Sequence, residues 1–343
     1  MKISNLNNAV EVSEIDLNND AQCMELGKIV AEKCVTVVRD KVSEQRLYDI
    51  QSLWGQPSRA FGHIMIGDKI LTGKHWRSLL VRLSHVSKAV SNVAGRSGMS
   101  RVSYEKNKRG KPTGIFTNGQ LDWHSDAQSS MDGQKVVGLM SLWGSEGSAT
   151  TFLNTAPAYA ALNHEDKSLV DELYSVWEWD GGKMCEDLIP SQKEVIRYNM
   201  VPVAKMECPL RDSTAAGTVG MRFPNHCFSN FRGMSREESL KVRAHLWAQV
   251  DKPEHIYRHD WKDGEIVFMD QSITLHARPT NVQEGDTRTM CRMISFLDKL
   301  HPDNGPAKSY RVDGEYHDFD TFAQMMDEQR IAEFATTDSM VAV

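Results

Sequence analysis

Residues 265–296 read EIVFMDQSITLHARPTNVQEGDTRTMCRMISF, and most of the case for the fold rests on this stretch. Residues 265–269 and 290–296 are short apolar runs, set on either side of a turn built around Gly285 and Asp286. Runs of that length, bounded by turn residues, read as strands. Working outward, Val35–Val38 and Val136–Trp143 are further strand candidates, and 175–230 breaks into short strand-like runs rich in turn residues. Helical spacing covers 20–32, 43–53 with Ser43 as N-cap, 76–94, 157–173 and 235–249, where Ser235 and Glu238 form a capping box. Residues 106–119, rich in Gly and Lys, read as a loop feeding the segment around Trp123. Helices at the front and strands through the middle and end predict a mainly β fold, a sandwich or barrel with helical additions. An alternating doubly wound sheet does not fit that order.

The composition is that of a folded globular chain: 343 residues, 40% hydrophobic and 25% charged. It is read as one domain over 1–343, with a core at about 35–300 and an acidic C-terminal extension at 301–343. Lys+Arg 40 against Asp+Glu 46 leaves a net charge of -6, which argues against a nucleic-acid partner. No apolar run approaches the roughly 20 residues of a membrane span, and the N-terminus lacks the apolar core of a secretory signal. The six cysteines are scattered without a C-x-x-C pair, which suits a reducing, cytoplasmic setting. Charge is segregated: 59–119 holds twelve Lys/Arg and two acids, while 301–343 holds nine acids and three bases. Each stretch reads either as a solvated face or, for the basic one, as an attractor for an anionic small molecule.

The chemistry concentrates at Asp122-Trp123-His124-Ser125-Asp126. In a strand, residues two apart share a face, so His124 and Asp126 would present an imidazole and a carboxylate together. Two other His-x-Asp triplets lack that context: His164–Asp166 lies in a helical pattern, and His301–Asp303 encloses Pro302 in a polar loop. A third ligand must come from far along the chain, and His276, where an apolar strand runs through a polar turn, is the candidate. Two imidazoles and one carboxylate leave adjacent positions open on a metal, the pattern of non-haem Fe(II) oxygenases. Twelve residues on, Arg288, Met290 and Arg292 share one face of a strand. Two arginines on an interior face need anionic partners, supplied either by an internal carboxylate or by a bound carboxylate cosubstrate.

Taken in order, these pieces resemble the taurine dioxygenase-like (TauD/TfdA) family of Fe(II)- and 2-oxoglutarate-dependent oxygenases. The resemblance runs from Val37-Val38-Arg39-Asp40 and Trp54-Gly55-Gln56-Pro57 through Trp123-His124-Ser125-Asp126. It continues through Gly147 to Leu162 with Thr150-Thr151, then through 252–276 to the strand bearing Arg288 and Arg292. It implies a double-stranded β-helix, a jelly-roll variant, with N-terminal and flanking helices. It also implies Fe(II) held by His124, Asp126 and His276, with O2 and 2-oxoglutarate as co-reactants. Arg288 would pair with the distal carboxylate of 2-oxoglutarate, helped by a threonine. Counting from His124 favours Thr151; counting back from Tyr159 favours Thr150. Arg292 matches a position facing the substrate's anionic group or the cosubstrate. Asn118, Gln120, His226 and Asn230 are candidate pocket residues, His75, Trp76 and Arg77 lie where lids form in the family, and 211–220 is a candidate mobile loop.

The implied reaction is oxidation of an unactivated C–H bond in a small anionic substrate, an amino acid, carboxylate or sulfonate, giving succinate and CO2. Hydroxylation is the default, with desaturation or ring closure open, and Asp126 argues against halogenation. The resemblance leaves a homo-oligomer open. Two other readings compete: a cupin-like metal hydrolase or isomerase with the same triad, and a non-catalytic jelly-roll binding module. The arginine strand counts against the first, and the complete set of His124, Asp126, His276 and Arg288 against the second.

Overall fold

The computed structural model describes residues 1–57, 99–105, 108, 121–126, 136–177, 206–224, 228–279, 287–305, 309–312, 315–318 and 321. Two sheets face each other across the centre. The larger has seven strands in the order β1-β2-β3-β14-β6-β16-β4. These are β1 (Lys2–Leu6), β2 (Ala9–Ser13), β3 (Val35–Val38), β4 (Met99–Ser103), β6 (Val136–Trp143), β14 (Ile266–Asp270) and β16 (Thr289–Ser295). The smaller, in the order β13-β7-β15-β5, comprises β5 (Leu121–His124), β7 (Ala149–Asn154), β13 (Ile256–Asp260) and β15 (Thr274–Arg278). Outside this pair lie a five-stranded sheet and a hairpin. The former is formed by β8 (Tyr174–Trp177), β9 (Met206–Pro209), β12 (Phe228–Phe231), β17 (Ser309–Val312) and β18 (Glu315–Asp318), and the hairpin by β10 (Arg211–Ser213) and β11 (Val219–Met221).

The continuous apolar run in β14 follows from its position. Ile266 and Phe268 pack outward against Leu26 and Val30 of α1 (Asp20–Lys33) and against Leu47, Ile50 and Trp54 of α2 (Glu44–Trp54). Val267 and Met269 face inward, with Val137, Leu139, Phe152, Trp261 and Met290. A strand covered on both faces has no polar side, so it shows no alternation. The smaller sheet turns Leu153 and Leu275 outward into a second cluster with Leu162, Val170, Phe223, Phe231 and Leu246. That cluster is covered by α3 (Thr155–Ala161), α4 (His164–Glu172) and α5 (Arg236–Val250). The layers therefore run helices, large sheet, small sheet, helices.

The expected helix at 157–173 is two. Asn163 accepts from Asp166 N at 2.8 Å and restarts the chain as α4, because a short amide side chain satisfies an orphan donor that a continuous helix would not expose. Two other helices keep their expected caps: Ser43 accepts from Arg46 N at 3.0 Å, and Ser235 with Glu238 forms the full capping box. The 211–220 stretch, expected to be mobile, forms the β10–β11 hairpin, tied to α1 by Ala216 N to Ala31 O (3.3 Å) and Thr218 Oγ1 to Glu32 O (3.1 Å). His276 does not end the strand of residues 266–269. It sits inside a separate strand on the opposite sheet, because Asp270 Oδ1 accepts from Ser272 N (2.7 Å) and Ile273 N (3.0 Å) and turns the chain across the sandwich. Helix 76–94, loop 106–119 except residue 108, the Gly285–Asp286 turn and most of the two charged stretches lie outside the described residues. No helix among the described residues is long and apolar enough to cross a membrane.

Candidate metal centre

His124 closes β5 and is register partner to His276 on β15, so one antiparallel pair presents both imidazoles on one face. Their ring centroids lie 4.2 Å apart. Asp126 Oδ1 is 3.9 Å from Nε2 of each histidine, and the three ligand atoms fall within 4.8 Å of one another. His124 Nδ1 is 2.6 Å from the Asp122 carbonyl; assigning the proton to Nδ1 places the lone pair on Nε2.

Asp126 arrives by a route different from the expected strand alternation. β5 ends at His124, and Asp126 lies in the turn beyond it. Gln271 makes that turn: its Oε1 accepts from Asp126 N (2.8 Å) and Ser125 Oγ (3.0 Å), and its carbonyl is 2.9 Å from the same hydroxyl. Arg292 then takes the other carboxylate oxygen, donating from Nη1 to Asp126 Oδ2 at 2.9 Å and from Nε to Ser100 Oγ at 3.0 Å. One oxygen is thus held by the protein and the other is left toward the histidines.

Electrostatics sets the protonation states that a cation needs. Burial, reinforced by His276, pushes His124 down to about 4, and burial also lowers His276. Burial alone would raise Asp126; the Arg292 guanidinium, with smaller help from both histidines, outweighs it and holds the carboxyl at about 2. Two neutral imidazoles and an ionised carboxylate result. That donor set suits a divalent transition ion with open positions, Fe(II) among them, and among the described residues it has no fourth protein ligand of the kind that closes a structural zinc site.

The three ligands line a cavity between the sheets. Its walls are apolar at Val102, Leu121, Leu139, Met269, Met290 and Ala277, and polar at Thr150, Arg278, Arg288 and Arg292. Arg288 is 4% exposed and donates to Tyr104 Oη (3.0 Å) and to Met290 Sδ (3.0 and 2.6 Å). No carboxylate lies within ion-pair distance of Arg288 among the described residues. Burial, together with Coulombic repulsion from Arg278, lowers its pKa against the opposing pull of Tyr104. Arg278 meets the same Tyr104 oxygen at 3.0 Å.

Of the two threonines, Thr150 faces this cavity; Thr151 points to the other side of β7, its hydroxyl 3.3 Å from the Ala277 carbonyl. Arg292, expected to face an anionic ligand, spends two of its nitrogens on Asp126 and Ser100, while its Nη2 has no protein acceptor among the described residues. Asn230 donates to the carbonyls of Phe231 and Met234, away from the cavity lining. Asn118, Gln120, His226, His75, Trp76 and Arg77 lie outside the described residues. Arg278, Tyr104 and Gln271 escaped the sequence reading. A signal existed for Arg278, since it shares the parity of His276 on β15, but none for the others.

Several known proteins resemble this chain. A family model described as "Taurine catabolism dioxygenase TauD, TfdA family" matches residues 2–294. An alkylsulfatase of Acinetobacter baylyi is 27% identical over 182 residues, 52% of this chain and 57% of that protein. An alpha-ketoglutarate-dependent sulfate ester dioxygenase of Pseudomonas putida is 27% identical over 161 residues, 45% of this chain and 52% of that protein. The chain thus spans little more than half the length of the curated relatives it matches. Among solved structures, a taurine dioxygenase from Burkholderia xenovorans aligns at TM-score 0.59 and 16% identity, covering 90% of this chain and 91% of that one. AAD-2 in complex with Mn(II) and N-oxalylglycine aligns at TM-score 0.60 and 19% identity, covering 86% and 97%. At those identities the likeness fixes the fold, and the facing sheets are the jelly roll of these dioxygenases. On the family match, which covers most of the sequence, the chain belongs to the taurine catabolism dioxygenase TauD, TfdA family.

Proposed function

We propose that this chain is an Fe(II)- and 2-oxoglutarate-dependent dioxygenase that hydroxylates a C–H bond of a small anionic substrate of the sulfate-ester or sulfonate class. The observation that carries the proposal is the buried Arg288 guanidinium, without a carboxylate partner among the described residues, in the same cavity as the His124–Asp126–His276 set. A desolvated cation of this kind calls for an anionic guest. A hydrolase working with the triad alone would have no use for it.

His124, Asp126 and His276 would hold the iron, and Arg288 with the Thr150 hydroxyl would hold the distal carboxylate of 2-oxoglutarate. The bound pair supplies O2 activation coupled to decarboxylation, so that one oxygen atom enters the substrate and the other leaves in succinate. The protein's own part is positional. Arg292 keeps Asp126 ionised and offers its remaining nitrogen to the anionic head of the substrate. Val102, Leu121, Leu139, Met269 and Met290 exclude water and pack against an alkyl portion. Support for the substrate class comes from two relatives, one named an alkylsulfatase and the other a sulfate ester dioxygenase. Hydroxylation at the carbon bearing a sulfate ester gives a hemiacetal-like product that collapses to an aldehyde and sulfate.

The test is anaerobic titration of the metal-free protein with Fe(II) and then 2-oxoglutarate, followed by absorbance, with succinate release then screened over alkyl sulfates, sulfonates and amino acids. A weak visible charge-transfer band that needs both additions, and succinate release that depends on an alkyl sulfate or sulfonate, are the expected results. Bound iron with no band would move the protein to the hydrolase reading. A band with turnover only on amino acids would remove the substrate class and leave the chemistry.

A further inference from the structure

Thr150 does not stand alone in the cavity wall. Trp261, 2% exposed, donates its indole N–H to Thr150 Oγ1 at 2.9 Å. An indole nitrogen can only donate, so the hydroxyl must accept there, and its single proton is left for another partner. Among the described residues no protein group accepts it. Thr150 lines the cavity, so that proton has the cavity side to turn to.

The indole is itself fixed from behind. His259, the register partner of Thr150 across β7 and β13, meets the Trp261 ring edge-on at 4.3 Å and 80°. His259 Nδ1 lies 3.0 Å from Tyr257 Oη, while its Nε2 stands 3.1 Å from Glu265 Oε2 without hydrogen-bond geometry, and Glu265 accepts from Arg39 Nη1 at 2.6 Å and from Lys262 N at 3.0 Å. An indole buried against a buried ring keeps one orientation, which is what a preorganised donor requires.

We infer that Trp261 is a positioning residue for the cosubstrate: by occupying the acceptor side of Thr150, it turns that hydroxyl into a fixed donor to the carboxylate that Arg288 binds. The inference rests on the proposed 2-oxoglutarate chemistry and adds a residue to it. Trp261 touches neither the metal ligands nor the arginines in this role; it acts through Thr150.

The experiment is a double-mutant cycle on the Mn(II)-loaded full chain, with 2-oxoglutarate affinity read by anaerobic calorimetry. Thr150→Val should weaken 2-oxoglutarate by roughly tenfold, the scale of one hydrogen bond to a charged group. Thr150→Ser should bind like the wild type. Trp261→Phe keeps most of the ring and loses the donor, and should weaken binding about three- to fivefold. In the Thr150→Val background the same change should cost nothing further, and Mn(II) affinity should hold in all variants. A merely structural role for the indole would give additive losses and move Mn(II) affinity as well; that result overturns the inference, as does wild-type affinity in Trp261→Phe. Should Trp261→Phe fail to fold, the threonine pair still decides, because wild-type affinity in Thr150→Val removes the hydroxyl from the site. Wild-type protein that binds no 2-oxoglutarate would bring down the underlying chemistry, whereas wild-type binding with an additive cycle would bring down Trp261 alone.

Discussion

Asp126 is the ligand whose placement depends most on other side chains. It lies past the end of its strand, so its position is that of a turn, and the turn is made by Gln271 from 145 residues further along the chain. Groups that orient metal ligands typically change affinity by 10–100-fold when removed. Gln271→Leu is expected to weaken Fe(II) or Mn(II) binding by about tenfold, with the melting transition still cooperative; metal titration beside thermal melts checks it, and unchanged metal affinity would show that Arg292 alone sets the carboxylate. The spacing of His124 and Asp126 was readable in the sequence, but the partner that makes the spacing useful was not, because nothing local couples residues so far apart. Thr150 and Thr151 show the same limit. Two equally reasonable counts differ by one residue, and in a strand one residue reverses the face. Only the pairing of β7 with β13 and β15 settles which hydroxyl meets the cavity.

At the scale of elements, residues with strong local signals kept their reading. Val35–Val38 and Val136–Trp143 are strands with the expected bounds, and Ser43 and Ser235 cap helices, since these features depend on neighbours in sequence. β15 was hidden, because its five residues are short, contain His276 and Arg278, and carry little apolar pattern of their own. Its strand state comes from pairing with β7 and β5. One junction between elements invites a direct test. Gly55 follows α2 where the chain lies against the end of β16, and a Cβ there would collide with the Phe296 carbonyl oxygen. The neighbouring backbone is committed, with Phe296 N donating to Gln56 O at 2.9 Å. Gly55→Ala should therefore cost about 1–3 kcal/mol of stability, as overpacking does, and denaturant unfolding measures it. Metal affinity should hold, because β16 approaches the site at Arg292, well before this end.

The whole molecule is a sandwich that hides several charges, and its stability should follow pH accordingly. Asp270, 1% exposed, marks the crossing from one sheet to the other. Burial pushes its carboxyl up to about 7; the nearby Asp212 adds to this, while Arg222 and hydrogen bonds from the backbone N–H groups of Ile273 and Ser272 oppose it. A folded pKa above the unfolded value means that the folded state holds the proton more tightly. The stabilisation is then fully present below about pH 4 and is lost as pH rises to about 7, with an upper scale of roughly 4 kcal/mol. Asp270→Asn should flatten that slope and leave the protein more stable than the wild type at pH 8, as melts at pH 5 and pH 8 would record. A wild-type and variant difference that stays constant with pH would refute it. The sheets also meet at a second buried point. Arg278 on the small sheet and Arg288 beside the large one reach the same Tyr104 oxygen, each at 3.0 Å. Two cations leaning on one phenol push against each other across the gap. An anion lodged beside them would be to this barrel what a keystone is to an arch, turning mutual thrust into closure, and its departure would slacken both walls together.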